Sequence, residues 1–253
     1  MMINNETKKI KFMNINVDNV TMSEALQRIA YLIENTKQSY VVTPNVDHIV
    51  KLEKDVEFQE IYENADLVLT DGQPLIWISK LYKKPIKEKV SGADLFPKVC
   101  ELAAQKGYTM FFLGAAEGVA DAAAAKLSEK FEGLNVVGTY SPKLGFENDH
   151  EELQIIINNI KTKAPDILVV GLGTPKQEKF IYRNREKLNV PLALGLGASI
   201  DFEAGKSKRA PVWMSKCGLE WLYRLCKEPK RMFKRYLIDD MKIISLFLKY
   251  RKK

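Results

Sequence analysis

Residues 40–77, YVVTPNVDHIVKLEKDVEFQEIYENADLVLTDGQPLIW, decide the fold. Tyr40 to Val42 is a short β-branched run that stops at Thr43-Pro44-Asn45, and apolar residues at helical spacing follow from Val46 to Ile61. A second apolar run, Ala65 to Leu69, ends in Thr70-Asp71-Gly72 and passes into another helical pattern through Pro74, Ile76 and Trp77. Two strands thus each hand a polar tip to a helix. In an open parallel sheet such tips lie side by side at the carboxyl edge, where ligands bind, so Thr43, Asn45 and Asp71 are expected to converge.

The same strand, loop and helix unit recurs outward from this stretch. Tyr108 to Leu113 ends in a loop bounded by Gly114 and Gly118 and is followed by an alanine-rich helical pattern to Phe131. Asn135 to Gly138 reads as a strand and 150–163 as a helix. Asp166 to Val170 reads as a strand ending in Gly171-Leu172-Gly173-Thr174-Pro175-Lys176-Gln177-Glu178, and a helix over 176–187 starts there. Leu192 to Leu196 repeats the pattern and stops at Gly197 to Asp201. On the amino-terminal side, 9–16 reads as one edge strand and Thr21-Met22-Ser23-Glu24 as a capped helix start. Lys89 falls on a basic loop before Ser91-Gly92-Ala93-Asp94, which opens another helix. This alternation predicts an α/β, Rossmann-like, mostly parallel sheet with helices on both faces.

Charge divides the chain near Gly205. Residues 206–253 hold fifteen Lys and Arg against four Asp and Glu, whereas 1–205 hold 24 against 28. The expected organisation is a catalytic core over 1–205 and a basic helical appendage over 206–253, with one helix over 212–226, a break at Glu228-Pro229 and an amphipathic helix over 232–250. The bland reading of that appendage is a helical cap on the core. Nucleic acid is not expected, because no recognised binding module accompanies the charge. An anionic membrane surface suits it better: Trp213, Trp221, Tyr223, Phe233, Tyr236, Phe247 and Tyr250 interleave with Lys and Arg, as in interfacial helices.

At 46% hydrophobic and 28% charged residues, the composition is that of a folded chain, far from disorder. Three scattered cysteines and an N-terminus without an apolar signal region predict a reducing, cytoplasmic setting. No Cys/His cluster has zinc spacing, so a structural metal site is not expected; no cofactor is expected either. Oligomeric state is left open, a homo-oligomer included.

Each motif has two readings. Asp71 before Gly72 is a common helix cap or turn residue; the chemical reading is a general base at the sheet edge. The turn containing Gly171 and Gly173 is a tight strand-to-helix connection or a phosphate seat, glycines allowing close backbone approach and the helix presenting its amides. It is not a dinucleotide fingerprint, because Lys176 stands where a third glycine belongs. His48 reads as a structural histidine, with catalysis the lesser option. Arg224, Arg231 and Arg235 carry guanidinium forks suited to a diphosphate.

Thr43-Pro44-Asn45, Thr70-Asp71-Gly72, Ser91-Gly92-Ala93-Asp94-Leu95, Gly171 through Glu178 and Glu228-Pro229-x-Arg231 occur in this order. In that respect the chain resembles the WecG/TagA/CpsF family of bacterial glycosyltransferases, over roughly residues 10–238. The resemblance implies inverting transfer of N-acetylmannosamine from a UDP-sugar donor to the 4-hydroxyl of N-acetylglucosamine carried on polyprenyl (undecaprenyl) diphosphate, in wall teichoic acid linkage-unit synthesis at the inner face of the membrane. It implies Asp71 as the base, Thr43 and Asn45 in the pocket, Gln177 and Asp201 at the sugar nucleotide, and Arg224, Arg231 and Arg235 completing the site. Lys89 departs from it, because relatives often carry arginine before Ser-Gly, and a lysine keeps the charge without the fork. The rival readings are another UDP-sugar donor such as UDP-N-acetylmannosaminuronic acid in exopolysaccharide or common-antigen synthesis, an oxidoreductase or methyltransferase on the same fold, and a non-enzymatic membrane-binding module.

Overall fold

The structure, a computed structural model, describes residues 7–251, with the side chains of Val212, Lys216 and Arg231 outside the description. The chain opens with a hairpin of β1 (Lys9–Phe12) and β2 (Ile15–Asp18), paired antiparallel, rather than the single strand expected. The expected strand turns at Met13, which takes φ +50°. Helix α1 (Met22–Asn35) follows, closed by reciprocal hydrogen bonds between Thr21 and Glu24.

The main sheet has six strands: β3 (Ser39–Val42), β4 (Leu67–Val68), β5 (Thr109–Gly114), β6 (Asn135–Tyr140), β7 (Ile167–Gly171) and β8 (Leu192–Gly195). Their order is β4-β3-β8-β7-β5-β6 and every pair is parallel. The core helices are α2 (Val46–Leu52), α3 (Val56–Glu63), α4 (Gln73–Leu81), α5 (Gly92–Lys106), α6 (Val119–Lys130), α7 (His150–Lys163), α8 (Lys176–Leu188) and α9 (Ser199–Glu203). The single helix expected over 46–61 is two, because Asp55 turns its carboxylate onto the amide of Phe58 at 3.0 Å and starts α3 afresh.

Helices cover both faces of the sheet, which is why its strands read as continuous apolar runs. Alternate residues serve opposite layers. Tyr40, Val42, Leu168 and Val170 pack with Ile49, Phe58 and Ile181 on one side, while Val41, Ile167 and Val169 pack with Ile29, Phe96 and Ala123 on the other.

The appendage comprises α10 (Val212–Lys216), α11 (Glu220–Lys227), α12 (Pro229–Lys234), a π-helical turn over Arg235–Asp239 and α13 (Lys242–Arg251). The first expected helix is interrupted at Gly218, at φ +71°, where an added Cβ would stand 2.6 Å from the Trp77 ring. The second is interrupted by the π turn. Helix α13 folds back on the core: Leu246 is buried, the Tyr82 hydroxyl donates to the Phe247 carbonyl at 2.8 Å, and the Tyr250 hydroxyl donates to Glu53 at 3.0 Å. No described helix is long and apolar enough to cross a membrane.

Candidate active site

Beyond β3 and β4 the two chains continue to pair. The Leu69 amide donates to Val42 at 2.9 Å and the Asp71 amide to Pro44 at 2.8 Å, which sets Asp71 beside Asn45 at the carboxyl edge. Gly72, at φ +107°, then turns the chain into α4. No side chain caps that helix, so the cap reading of Asp71 does not hold, and among the described residues its carboxylate takes no hydrogen bond.

Asp71 opens instead into a cavity of about 300 Å³ roofed by the appendage. Asn45, Lys89, Arg224 and Arg235 line it together with two acids that sequence reasoning did not single out, Glu220 and Asp240. Its remaining wall is mostly apolar, with Val46, Pro74, Trp221, Leu237 and Ile243 beside Gln73, Ser215 and Tyr236. Four of the predicted site residues outside Asp71 itself are thus brought to one cavity.

The charges in that cavity are held in place by the fold. Burial, reinforced by the neighbouring Glu220, pushes the Asp71 carboxyl up to about 6, while Arg224, Lys89 and His48 pull the other way. Burial also raises Asp240 to about 6, opposed by Arg235 and reinforced by Asp47 and Asp239. Arg224 donates to Glu220 at 2.7 Å and lies 5.3 Å above the Phe202 ring, joining α11 to α9. Its burial works against the charge, but Glu220, Tyr236 and Asp71 outweigh that and raise its pKa. Arg235 donates to Asn45 Oδ1 at 3.4 Å and stands 3.6 Å from Asp47, which ties the π turn to α2. Lys89 donates to Ser215 Oγ at 3.0 Å, so this lysine ties the core to α10. Arg209, also missed from sequence, ties the start of the appendage, ahead of α10, to the core through Asp94 at 2.6 Å. The side chain of Arg231 lies outside the described residues.

A second cleft, of about 910 Å³, lies at the carboxyl ends of β5 and β7. There the connection from β5 leads outward to β6 and that from β7 leads inward to β8, the switch point at which open α/β sheets take ligands. Gly171 lines it with Ala115, Gly118, Ser141, Lys143 and Lys176. Its floor needs glycine: a Cβ on Gly114 would stand 2.4 Å from the Gly171 carbonyl oxygen, and one on Gly171 2.8 Å from that of Gly197. Gly173, at φ +76°, supplies the turn into α8. Lys176, in the first turn of α8, pairs with Glu147.

Between cleft and cavity stand predicted residues that line neither. Buried Thr43 donates to the Gly195 carbonyl at 3.4 Å, close under Gly92 at the start of α5. Gln177 is also buried and accepts from the Gly197 amide at 3.0 Å, holding the loop after β8. Asp201, in α9, receives the amides of Lys206 and Ser207 on its carbonyl, at the start of the appendage. Among the described residues no group of three His, Cys, Asp or Glu side chains is placed to hold a metal.

An all-parallel α/β sheet with a glycine-floored switch-point cleft and a half-buried edge carboxylate beside arginines has the build of a group-transfer enzyme. The chain belongs to the WecG/TagA/CpsF family of glycosyl transferases, whose family model matches residues 10–253. It is 31% identical over 245 residues, 97% of this chain and 92% of the relative, to the N-acetylglucosaminyldiphosphoundecaprenol N-acetyl-beta-D-mannosaminyltransferase of Bacillus spizizenii. It is 26% identical over 248 residues, 96% of this chain and 91% of the relative, to the protein of the same name from Staphylococcus aureus strain MW2.

Proposed function

We propose that this chain transfers N-acetylmannosamine from UDP to the 4-hydroxyl of N-acetylglucosamine on undecaprenyl diphosphate, with inversion, in building the wall teichoic acid linkage unit. The observation that carries the reading is the cavity at the ends of β3 and β4, where one half-buried carboxylate shares the lining with Arg224, Arg235 and Lys89. The names of the relatives supply the acceptor and the sugar.

In this reaction Asp71 takes the proton of the acceptor hydroxyl as its oxygen attacks the anomeric carbon. The carbon–oxygen bond to the β-phosphate breaks on the opposite face, and UDP leaves with the electron pair. A carboxyl of pKa about 6 is largely ionised at neutral pH yet basic enough to accept that proton. Arg224 and Arg235, with Arg231 as a third guanidinium from the same appendage, balance the charge of departing UDP. Lys89 adds a point charge, and Asn45 orients the sugar while Thr43 supports the edge beside it. The UDP moiety lies toward the switch-point cleft, over Gly171 and Gly173, with the amides of α8 facing its phosphates and Gln177 and Asp201 shaping the loops around it. From β7 to β4 is three inter-strand steps, about 14 Å.

The acceptor lipid stays in the bilayer, and the appendage meets the inner membrane face. Supporting this, Trp213, Phe233, Ile238, Met241, Ile244 and Leu248 are exposed on a segment rich in Lys and Arg. The core over 1–205 then supplies donor chemistry, and 206–253 supplies both roof and membrane contact.

The test is UDP release from a panel of UDP-sugars with a lipid-diphosphate N-acetylglucosamine acceptor. Acceptor-dependent release from UDP-N-acetylmannosamine is expected; turnover of a different UDP-sugar alone, or none in the panel, contradicts the assignment.

A further inference from the structure

One side chain that the chemistry above leaves unused joins the two ends of the site. His48 is 6% exposed and stands in the first turn of α2, against the paired rings of Phe58 at 6.1 Å and Tyr62 at 6.3 Å. Its Nδ1 lies 2.8 Å from Asn45 Oδ1 and receives the Asn45 backbone amide at 3.3 Å, so it closes a cap around the residue that lines the Asp71 cavity. Its Nε2 lies 3.3 Å from Glu178 Oε1.

Glu178 is 1% exposed, and besides His48 its partners come from the far side, around the start of α8. Gln177 Nε2 donates to Oε1 at 2.9 Å and Thr174 Oγ1 to Oε2 at 3.1 Å, both from the turn that follows β7. Gln177 in turn receives the Gly197 amide at 3.0 Å. A buried carboxylate needs its lone pairs filled, and here they are filled by the glycine turn on one side and by His48 on the other. A histidine that served packing alone would be satisfied by its cap and its two aromatic neighbours. The bond to Glu178 adds a continuous path, from the turn over which UDP is placed, through Glu178 and His48, to Asn45 and on to Arg235 of the appendage.

We propose that His48 is a positioning residue for glycosyl transfer. It fixes the Asn45 amide beside Asp71 in a geometry set by the turn 171–177, so that the seat of the leaving diphosphate and the seat of the acceptor sugar move as one unit. The inference rests on the assignment of Asp71 and Asn45 to the active site.

The experiment compares His48→Phe, which keeps a ring against Phe58 and Tyr62 but bonds to neither end, with His48→Gln, whose amide can donate to Glu178 and accept from Asn45. UDP binding is measured by titration and turnover with the lipid-diphosphate acceptor, both on the full chain. His48→Phe is expected to keep UDP affinity within about threefold while kcat falls roughly 10- to 100-fold, the cost of a misplaced group near the chemistry; His48→Gln is expected to recover most of kcat. Glu178→Gln probes the same link from the other end if His48→Phe does not fold, and is expected to lower kcat likewise. Wild-type kcat in His48→Phe, or equal losses in the Phe and Gln variants, overturns the positioning role. Asp71→Asn is run in parallel: full turnover by that variant sinks the Asp71 assignment while leaving the difference between the two His48 variants to be read on its own.

Discussion

The two depressions along the carboxyl edge are built in opposite ways. The cleft over β5 and β7 has a floor made by backbone: Gly114, Gly171 and Gly197 approach so closely that no side chain fits between them, and charge sits on its rim, on Lys143, Lys176, Asp121 and Glu152. The cavity over β3 and β4 is made by side chains, and Glu220, Arg224, Arg235 and Asp240 all come from the appendage. The difference teaches where the proposed recognition of each substrate would be stored: the cleft proposed for the donor is complete within the core, whereas the cavity proposed for the acceptor needs the appendage folded over the sheet edge.

That contrast is breakable. Arg224→Ala leaves the cleft intact and strips one cation from the cavity, so UDP affinity should stay within a few-fold while kcat drops about 10²- to 10³-fold; equal losses in both would merge the two regions. Gly114→Ala attacks the cleft alone. Its Cβ would meet the Gly171 carbonyl oxygen at 2.4 Å, from a residue already at φ +118°, so thermal or urea unfolding should show a loss of about 3 kcal/mol, with UDP affinity falling too.

The pH dependence separates them further. With Asp71 at about 6, kcat should fall about tenfold per pH unit below that value, while UDP binding to the cleft should not follow the same curve. Stability runs the other way. A carboxyl raised from 3.8 to about 6 by burial favours the fold when protonated, so its contribution is full below pH 3.8 and is lost as pH rises through about 6. Asp71→Asn should therefore be more stable than the wild type at pH 7, by up to about 3 kcal/mol. The smallest expected effect is at the bilayer. Replacing Ile244 and Leu248, both more than half exposed on α13, by serine should weaken sedimentation with anionic vesicles roughly tenfold and leave UDP affinity unchanged.

The sheet edge was legible because Thr43-Pro44-Asn45 and Thr70-Asp71-Gly72 interrupt apolar runs with residues that end strands, and Asn45, Asp71 and Gly72 of those interruptions line the candidate site. The break at Asp55 was not, because apolar spacing runs on from Val50 to Phe58 whether or not a new cap intervenes. The turn at Met13 was hidden likewise, with no glycine to mark it. In the appendage the positive charge was plain, but Glu220 and Asp240 were not singled out: an acid in a basic run looks like a solvated ion-pair partner until the fold buries it against Asp71 or Arg235. Gln177 was read toward the sugar nucleotide from its motif, while its bond to the Gly197 amide depends on a loop twenty residues later that only the parallel pairing of β7 and β8 brings near.

The most direct measurement is acceptor-dependent UDP release by Asp71→Asn, alongside its UDP affinity. An amide of the same shape cannot take the hydroxyl proton, so turnover should fall about 10²- to 10⁴-fold with UDP bound as tightly as in the wild type. Transfer at the wild-type rate by that variant would contradict the account.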